Sequence, residues 1–551
     1  MTKYIVVGGV AGGATAAARL RRLNEDAEII MVERGADISF ANCGLPYFVG
    51  DTIKNREDLL VMTPERFQGL FRVDVRNNSE VMQVDAEHKE VIIKHAGQEY
   101  RESYDALLLA PGAMPLRPPI PGIDHQRIVT LRNVQDSVKL KELAAEFPQG
   151  RAVVVGGGFI GVEAAENLRQ RGLAVTLVEA APHILAPFDT DMVKLAEDEL
   201  IRNDVKLILD CGVQEFLHQA DNLGVKLADG QVLAADFVVL AIGVRPDTGF
   251  LKKSGIKLGE RGHILVDEKM QTSAPAVYAV GDAVMTFDSQ TGQAMALPLA
   301  GPANRQGRLA ADNISGLSHS YRGVVGSSVL KVFDLTAAST GKNERTLQRE
   351  GLVYGKDYRF TITYPADHAT YYPGAEPFAL KMLFSLKDGR VLGAQAIGKK
   401  GVDKRIDVLA AVLRFGGTVQ DLIDLELTYA PPFSSAKDPV NMAGYYAENI
   451  LAGLVNPLLP RELTEALADG AQVIDLRDPT GFAQGHIEGA INIPTIKLRD
   501  SLEKLPQDKL LILACKTGLN GYFMERMLKQ AGFNARSLMG GNTYLAGKLP
   551  Q

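Results

Sequence analysis

The sequence predicts an α/β fold in which one βαβ unit occurs twice. An apolar run, Lys3-Tyr4-Ile5-Val6-Val7, leads into the glycine-rich turn Gly8-Gly9-Val10-Ala11-Gly12-Gly13. A second run, Ala152-Val153-Val154-Val155, leads into Gly156-Gly157-Gly158-Phe159-Ile160-Gly161. Each turn is followed by a helical stretch and then by an apolar run that ends in an acid, Glu33 in the first copy and Glu179 in the second. That layout sets pyrophosphate on a helix N-terminus and a ribose hydroxyl on a carboxylate about twenty residues further on. One such fingerprint can be a mere tight turn, but two copies predict two Rossmann-like nucleotide-binding domains.

The elements follow in order. Residues 3–8 read as a buried strand, 14–23 as an alanine-rich helix, and 27–32 as a second strand. The first turn departs from Gly-x-Gly-x-x-Gly because Val10 stands in the middle glycine's place, whereas the second turn fits in full. From about residue 325 to 450 the pattern changes to short apolar strands, such as Leu330-Lys331-Val332-Phe333 and Phe378-Ala379-Leu380-Lys381-Met382-Leu383, with a helix near 404–414. Residues 451–460, with Gly453, Pro457 and Pro460, read as a linker. A further domain follows it.

Composition bounds the function. A chain of 551 residues exceeds what one hydrophobic core usually supports, so two to four domains are expected. A net charge of −6 and 46% hydrophobic residues give no support to nucleic-acid binding. No stretch of about eighteen apolar residues predicts a membrane span, and the N-terminus enters a strand without a signal-peptide layout, so the cytoplasm is expected. The three cysteines, Cys43, Cys211 and Cys515, lie far apart and form no CxxC, which argues against a disulfide scaffold and against a metal site. Thiol chemistry stays open.

Cys43 lies in Ser39-Phe40-Ala41-Asn42-Cys43-Gly44-Leu45-Pro46, shortly after the first acid-ending strand. This stretch resembles the single-cysteine branch of the flavin disulfide reductases, which contains coenzyme A disulfide reductases, persulfide reductases and NADH oxidases. Dithiol members carry Cys-x4-Cys, and here the second position is Phe48. Oxidised Cys43 is therefore expected as a mixed disulfide with a substrate thiol or as a sulfenic acid.

The resemblance implies roles for the other elements. The first fingerprint becomes the FAD half, with Gly8, Gly9, Gly12, Gly13, Glu33 and Arg34 at the cofactor. Leu107-Leu108-Leu109-Ala110-Pro111-Gly112-Ala113 and Val238-Val239-Leu240-Ala241-Ile242-Gly243 are similar to the return strands that end each half. Val277-Tyr278-Ala279-Val280-Gly281-Asp282-Ala283 is similar to the family's second flavin segment, with Asp282 on the ribityl chain and Ala283 beside it. The second fingerprint, with Gly156, Gly158, Gly161 and Glu179, becomes an inserted pyridine nucleotide domain. A carboxylate at Glu179 suits a free ribose 2′-hydroxyl and repels a 2′-phosphate, and Ala180-Ala181-Pro182 supply no arginine, so NADH is favoured, although His183 follows. The implied boundaries are 1–118 with 246–324 for FAD, 119–245 for NAD(H), and 325–450 for a dimerisation domain of a homodimer. Within the last, Leu427-Thr428-Tyr429-Ala430-Pro431-Pro432-Phe433-Ser434 and the segment of Tyr371 match stretches whose tyrosines, in relatives, reach the cysteine and flavin of the other subunit.

The C-terminal part resembles a rhodanese domain over 461–551. Three stretches carry the resemblance in order: Ala471-Gln472-Val473-Ile474-Asp475-Leu476-Arg477, Gly485-His486-Ile487-Glu488-Gly489-Ala490-Ile491-Asn492-Ile493-Pro494, and Leu511-Ile512-Leu513-Ala514-Cys515-Lys516-Thr517-Gly518. Cys515 closes a strand and opens a loop into a helix over 522–530, where backbone N–H groups, the helix N-terminus and Lys516 can stabilise a thiolate or persulfide. The family loop usually ends in arginine, and Asn520 stands there, which weakens a claim to thiosulfate turnover. Cys211 is read as structural.

Coenzyme A is the carrier thiol that the resemblance implies. Arg19 and Arg22 share a face of the first helix, Arg72 lies near the family's basic position, Thr15, Ser39 and Asn42 are polar candidates nearer the thiol, and Lys437 completes the expected substrate set. Cys43, Cys515, Tyr371 and Tyr429 are the expected catalytic residues. The favoured reading is an FAD-dependent NADH reductase of coenzyme A persulfide or polysulfide. A coenzyme A disulfide reductase and an NADH oxidase working through a Cys43 sulfenic acid are the alternatives.

Overall fold

The computed structural model describes residues 1–218 and 222–550. The chain divides into two compact units, one of residues 1–184 and 203–324, the other of residues 185–202 together with the chain from Val325 onward.

In the first unit, strands β1 (Lys3–Val7) and β2 (Glu28–Val32) flank the helix α1 (Ala11–Leu23). They belong to a parallel sheet ordered Val277–Ala279, Ala106–Leu109, β1, β2, Asp74–Arg76. Parallel strands covered on both faces read as unbroken apolar runs. That is why β1 does: Tyr4 and Val6 pack into one core cluster and Ile5 and Val7 into another. The helix begins at Ala11, earlier than the alanine-rich run predicts, because the turn's last two glycines already lie within it.

The second βαβ unit repeats the plan. Arg151–Val155 and Ala174–Val178 flank the helix Phe159–Gln170 in a parallel sheet completed by Lys206–Ile208, Phe237–Leu240 and Ile128–Val129. Cys211 is buried in the apolar cluster beneath this sheet, as a core residue.

In the second unit, five antiparallel strands are ordered Ser328–Val332, Leu335–Gly341, Val391–Gly398, Phe378–Ser385, Tyr358–Thr363, with the helix Val402–Arg414 on one face. A parallel four-stranded sheet follows, ordered Ile491–Asn492, Gln472–Asp475, Leu511–Ala514, Ala535–Ser537. A buried lysine ties the pieces together. Lys381, on the antiparallel sheet and 0% exposed, meets Asp189 at 3.1 Å and Asp191 and Glu344 at 2.8 Å each. Tyr544, near the C-terminus, donates to Asp191, and Arg461 pairs with Glu344. Burial opposes the ammonium charge, but three carboxylates outweigh it and raise the lysine's pKa. This ion cluster anchors residues 185–202 to the second unit.

Candidate active site

The two glycine turns have the same geometry. Gly8 has φ +95°, and a Cβ there would lie 2.1 Å from the Ala110 carbonyl oxygen; Gly156 has φ +108° and would meet the Ala241 oxygen at 2.3 Å. A Cβ on Gly13 would lie 1.8 Å from the Gly8 oxygen, and one on Gly161 would lie 1.9 Å from that of Gly156. Only glycine permits either turn. Val10 is accommodated because it precedes α1 with a negative φ of −98°. Gly158, the middle glycine of the second turn, faces open space, room for a ligand to approach the backbone. Gly12 serves another end: the helix Ala300–Ile314 passes so close that a Cβ on Gly307 would lie 2.2 Å from the Gly12 oxygen.

Both acids are held alike. Glu33 accepts from the N–H groups of Gly9 at 2.8 Å and Gly35 at 2.7 Å. Glu179 accepts from Gly157 at 2.5 Å and Ala181 at 2.7 Å. Each carboxylate is thus fixed beside its own glycine turn, and these cradles fit dinucleotides: a glycine-lined backbone for pyrophosphate and an oriented acceptor for a ribose hydroxyl. Arg34 points instead to carboxylates, pairing with Asp247 at 2.8 Å and Glu80 at 3.4 Å. Asp282 and Ala283 follow the strand Val277–Ala279 in a short turn whose Gly281 N–H donates to Gln306. Burial raises the Asp282 pKa and nearby Arg132 opposes the rise.

The Cys43 stretch is tied to the first turn at its start. Ser39, with φ +45°, donates its N–H to the Gly9 oxygen at 2.8 Å, and its own oxygen accepts from Val61. Asn42, Cys43 and Gly44 form a single 3-10 turn that runs into the helix α2 (Leu45–Val49). Cys43 is solvent-exposed, yet partial desolvation by its surroundings, and then the charges of Glu163 and Asp282, raise its thiol pKa. Exposure describes reach for a reagent and the shift describes the poor hydration of a thiolate there, so both hold.

Glu163 and Tyr47 are additions that the sequence did not single out. The Tyr47 hydroxyl, on α2, donates to Glu163 Oε1 at 3.3 Å, and Glu163 lies on the helix that follows the second glycine turn. Burial, with help from Glu166, pushes the Glu163 carboxyl up to about 7, against the Tyr47 hydrogen bond. Burial and Glu163 push the Tyr47 phenol up as well. The one signal in the sequence is an acid within an otherwise apolar helix start, Phe159-Ile160-Gly161-Val162-Glu163-Ala164-Ala165.

The expected substrate residues fall into separate places. Thr15 donates to Asn304 at 2.7 Å. Arg19 is already paired with Asp312 at 2.7 Å, while partial burial and the charges of Arg19 and Arg308 press the Arg22 pKa down. Arg308, on the helix Ala300–Ile314, thus joins a basic group that sequence spacing could not assemble. Arg72 caps the helix Pro64–Phe71 in the left-handed conformation, 78% exposed, with Glu25 as a distant partner at 3.8 Å.

In the second unit the Tyr371 and Tyr429 hydroxyls are 2.6 Å apart, and both rings are exposed. The segment carrying Tyr429 and exposed Lys437 is anchored by buried Arg405, which donates to Ser434 and Asp438 at 3.1 Å each. Tyr371 also borders a cleft of about 480 Å³ shared with Tyr372, Lys516 and Thr517, the residues that follow Cys515. Cys515 is buried, and its Sγ accepts from the N–H groups of Gly518 at 3.2 Å and Gly521 at 3.4 Å. Burial raises its pKa, and backbone N–H groups of the loop, Thr517 and Asn520 included, oppose the rise. The helix runs Leu519–Gln530, so Asn520 stands in its first turn rather than before it.

The family model for pyridine nucleotide-disulphide oxidoreductases matches residues 2–307, the model for their dimerisation domain matches 327–439, and that for a rhodanese-like domain matches 459–546. The chain is 35% identical over 452 residues to coenzyme A disulfide reductase of Staphylococcus epidermidis, a match spanning 81% of this chain and 100% of that protein. It is similar to the structure of reduced Bacillus anthracis CoADR-RHD, with 46% identity, a TM-score of 0.96 and coverage of 100% of this chain and 98% of that one. It is also similar to an NAD-dependent persulfide reductase from A. fulgidus, with 36% identity, a TM-score of 0.93 and coverage of 98% and 100%. The chain belongs to the pyridine nucleotide-disulphide oxidoreductase family, with a rhodanese-like domain at its C-terminal end.

Proposed function

We propose that the chain is an FAD-dependent, NADH-oxidising reductase that acts through Cys43 on coenzyme A persulfide or a related sulfane sulfur and releases sulfide. One observation carries this choice of substrate: a second sulfur centre, Cys515 in its ring of backbone N–H donors, shares the chain with a redox-type cysteine that has no nearby cysteine partner. Bound FAD and NADH supply the two-electron reduction.

The residues divide the remaining work. Gly8, Gly9, Gly13, Glu33, Asp282 and Ala283 hold the flavin nucleotide, with Gly12 admitting the helix Ala300–Ile314 and Arg34 paired with Asp247 and Glu80, and Gly156, Gly158, Gly161 and Glu179 hold the nicotinamide nucleotide. Cys43 attacks the sulfane or disulfide sulfur, and the exposed 3-10 turn gives that sulfur access. Arg22 and Arg72, with Arg19 held by Asp312, serve the phosphates of coenzyme A, and Thr15, Ser39 and Asn42 orient the rest of it, while Lys437 lies in the second unit and falls outside this set. Tyr371 and Tyr429, paired hydroxyl to hydroxyl, supply hydrogen bonds to a sulfur anion from the dimerisation domain of a homodimer.

A coenzyme A disulfide reductase is the second reading. The S. epidermidis protein of that name is matched along 100% of its length by 81% of this chain. Anaerobic NADH consumption by the flavin-loaded protein, measured against coenzyme A persulfide, polysulfide, coenzyme A disulfide and peroxide with sulfide as product, separates the readings. Faster turnover of coenzyme A disulfide than of any sulfane donor would replace the first with the second.

A further inference from the structure

We propose that Glu163, hydrogen-bonded to the Tyr47 hydroxyl beside Cys43, stores the proton that the sulfur expelled by Cys43 takes up. The inference rests on the reductase reading above. It makes Glu163 a positioning residue for a proton, acting through Tyr47.

Three side chains act on one another here from two helices and a turn. Cys43 lies in the 3-10 turn that opens α2, Tyr47 lies on α2 itself, and Glu163 lies on the helix Phe159–Gln170, which packs against α2. The close approach of the two helices is fixed at Gly50, where a Cβ would fall 2.1 Å from Asn167 Oδ1. Asn167 Nδ2 in turn donates to the Glu163 carbonyl at 2.8 Å. Tyr47 is thereby held within hydrogen-bond reach of Glu163, at 3.3 Å. Cys43 feels the charge of Glu163, and Tyr47 feels that of Cys43.

Among the described residues, the charged surroundings leave the carboxyl without a cation. Glu166, on the same helix, adds a like charge. Asp282 faces Cys43 from the flavin segment. Lys141 and Arg171 neutralise Asp51 beyond the far end of α2. Of the strands beneath the helix, Arg151–Val155 brings Arg151, which is paired with Asp236. A half-buried acid so placed holds its proton to near neutrality, at about 7, where acid and base forms exchange readily.

The step balances. Cys43 thiolate attacks the inner sulfur of a persulfide R–S–SH, the Cys43–S–R bond forms, the S–S bond breaks, and its electron pair leaves on the hydrosulfide anion. With Glu163 protonated, its hydroxyl donates to the Tyr47 oxygen in place of the bond that the ionised acid accepts; the anion takes the Tyr47 hydroxyl proton as Tyr47 takes the Glu163 proton, in one concerted shift, and the Glu163 carboxylate is later reprotonated from solvent. Two electrons from NADH then cleave the mixed disulfide to Cys43 thiolate and RSH, so R–S–SH, NADH and one proton give RSH, hydrogen sulfide and NAD⁺. The neutral acid also suits the attack, since it adds no negative charge beside the thiolate.

The test compares flavin-loaded wild type with Glu163→Gln, Glu163→Asp and Tyr47→Phe in two measurements: kcat against pH with coenzyme A persulfide, and the rate of Cys43 alkylation by iodoacetamide against pH. Wild-type kcat should fall as pH rises through about 7, because the proton-holding form is lost. Glu163→Gln should lower kcat at least about tenfold at pH 6.5 and remove that limb, Glu163→Asp should restore the limb, and Tyr47→Phe should lower kcat similarly. In alkylation, ionised Glu163 restrains the wild-type thiol above neutrality, so Glu163→Gln should react several-fold faster at pH 8. A Glu163→Gln enzyme with the wild-type kcat profile, or with an unchanged alkylation profile, overturns the proposal. If the wild type reduces none of the sulfur substrates, the reductase reading fails, and the alkylation arm still decides whether Glu163 titrates beside Cys43.

Discussion

Cys43 stands in an exposed turn where the charges acting on it are the carboxyls of Glu163 and Asp282, whereas Cys515 is buried at a strand end among backbone N–H donors. Both thiols are pushed up in pKa by poor hydration, but the second influence has opposite sign at the two sites. Backbone dipoles around Cys515 reward any sulfur anion on it, persulfide included, and are fixed by the fold at no cost in reorganisation. Carboxyls around Cys43 penalise an anion unless a proton is held close by, which suits a thiol that must attack, be reduced and be released repeatedly. Under the proposed function, the difference is one between a storage site and a turnover site.

Replacing each cysteine is the most direct way to break that comparison. Cys43→Ser should lower NADH-driven sulfide release by at least about a thousandfold with every sulfur donor, since its thiol is the proposed attacking group. Cys515→Ser should spare small soluble persulfides that reach Cys43 directly and slow only donors that must first load the rhodanese-like domain. Sulfide release assayed donor by donor reads both. Equal loss in the two variants would erase the division between storage and turnover.

Alkylation sharpens it by a smaller factor. At pH 7 the exposed Cys43 should be labelled at least about tenfold faster than Cys515, followed by peptide mass. Both rates should climb as pH rises toward the thiol pKa values, which lie above the ordinary range at both sites, because thiolate is the reacting form.

Gly518 tests the storage side alone. Its φ is +90°, and a Cβ would come within 3.0 Å of the Gly540 nitrogen, so Gly518→Val must distort the loop that donates to Cys515 Sγ. Persulfide retained on Cys515 after exposure to polysulfide, read by intact mass, should fall about tenfold, with Cys43 alkylation unchanged. Glu179→Ala gives the smallest effect. It should narrow the preference for NADH over NADPH by several-fold in kcat/KM, since the repulsion of a 2′-phosphate disappears, and it should do so equally for all sulfur donors.

Much of the molecule was legible in its residues because local rules governed it. The two glycine turns, the acids that close them and the continuous apolar strands follow from backbone strain and burial on both faces, which short stretches of sequence encode. The order of the three C-terminal stretches around Cys515 was equally readable, although its helix begins at Leu519, within the loop, rather than at the expected 522. The Glu163–Tyr47 contact was not legible: the two residues lie far apart in sequence and meet where two helices pack closely, with Gly50 leaving room for Asn167. Arg308 reached the Arg19 and Arg22 face through the packing of α1 on a helix from the other end of the unit, and Lys381 found three carboxylates from two distant segments. Sequence by itself therefore determined the two nucleotide cradles, the two sulfur positions and the family to which they point, because each depends on neighbours along the chain. Tertiary structure alone decided the charge around each sulfur, because electrostatics acts through space and takes its partners from whichever helices and strands the packing brings near.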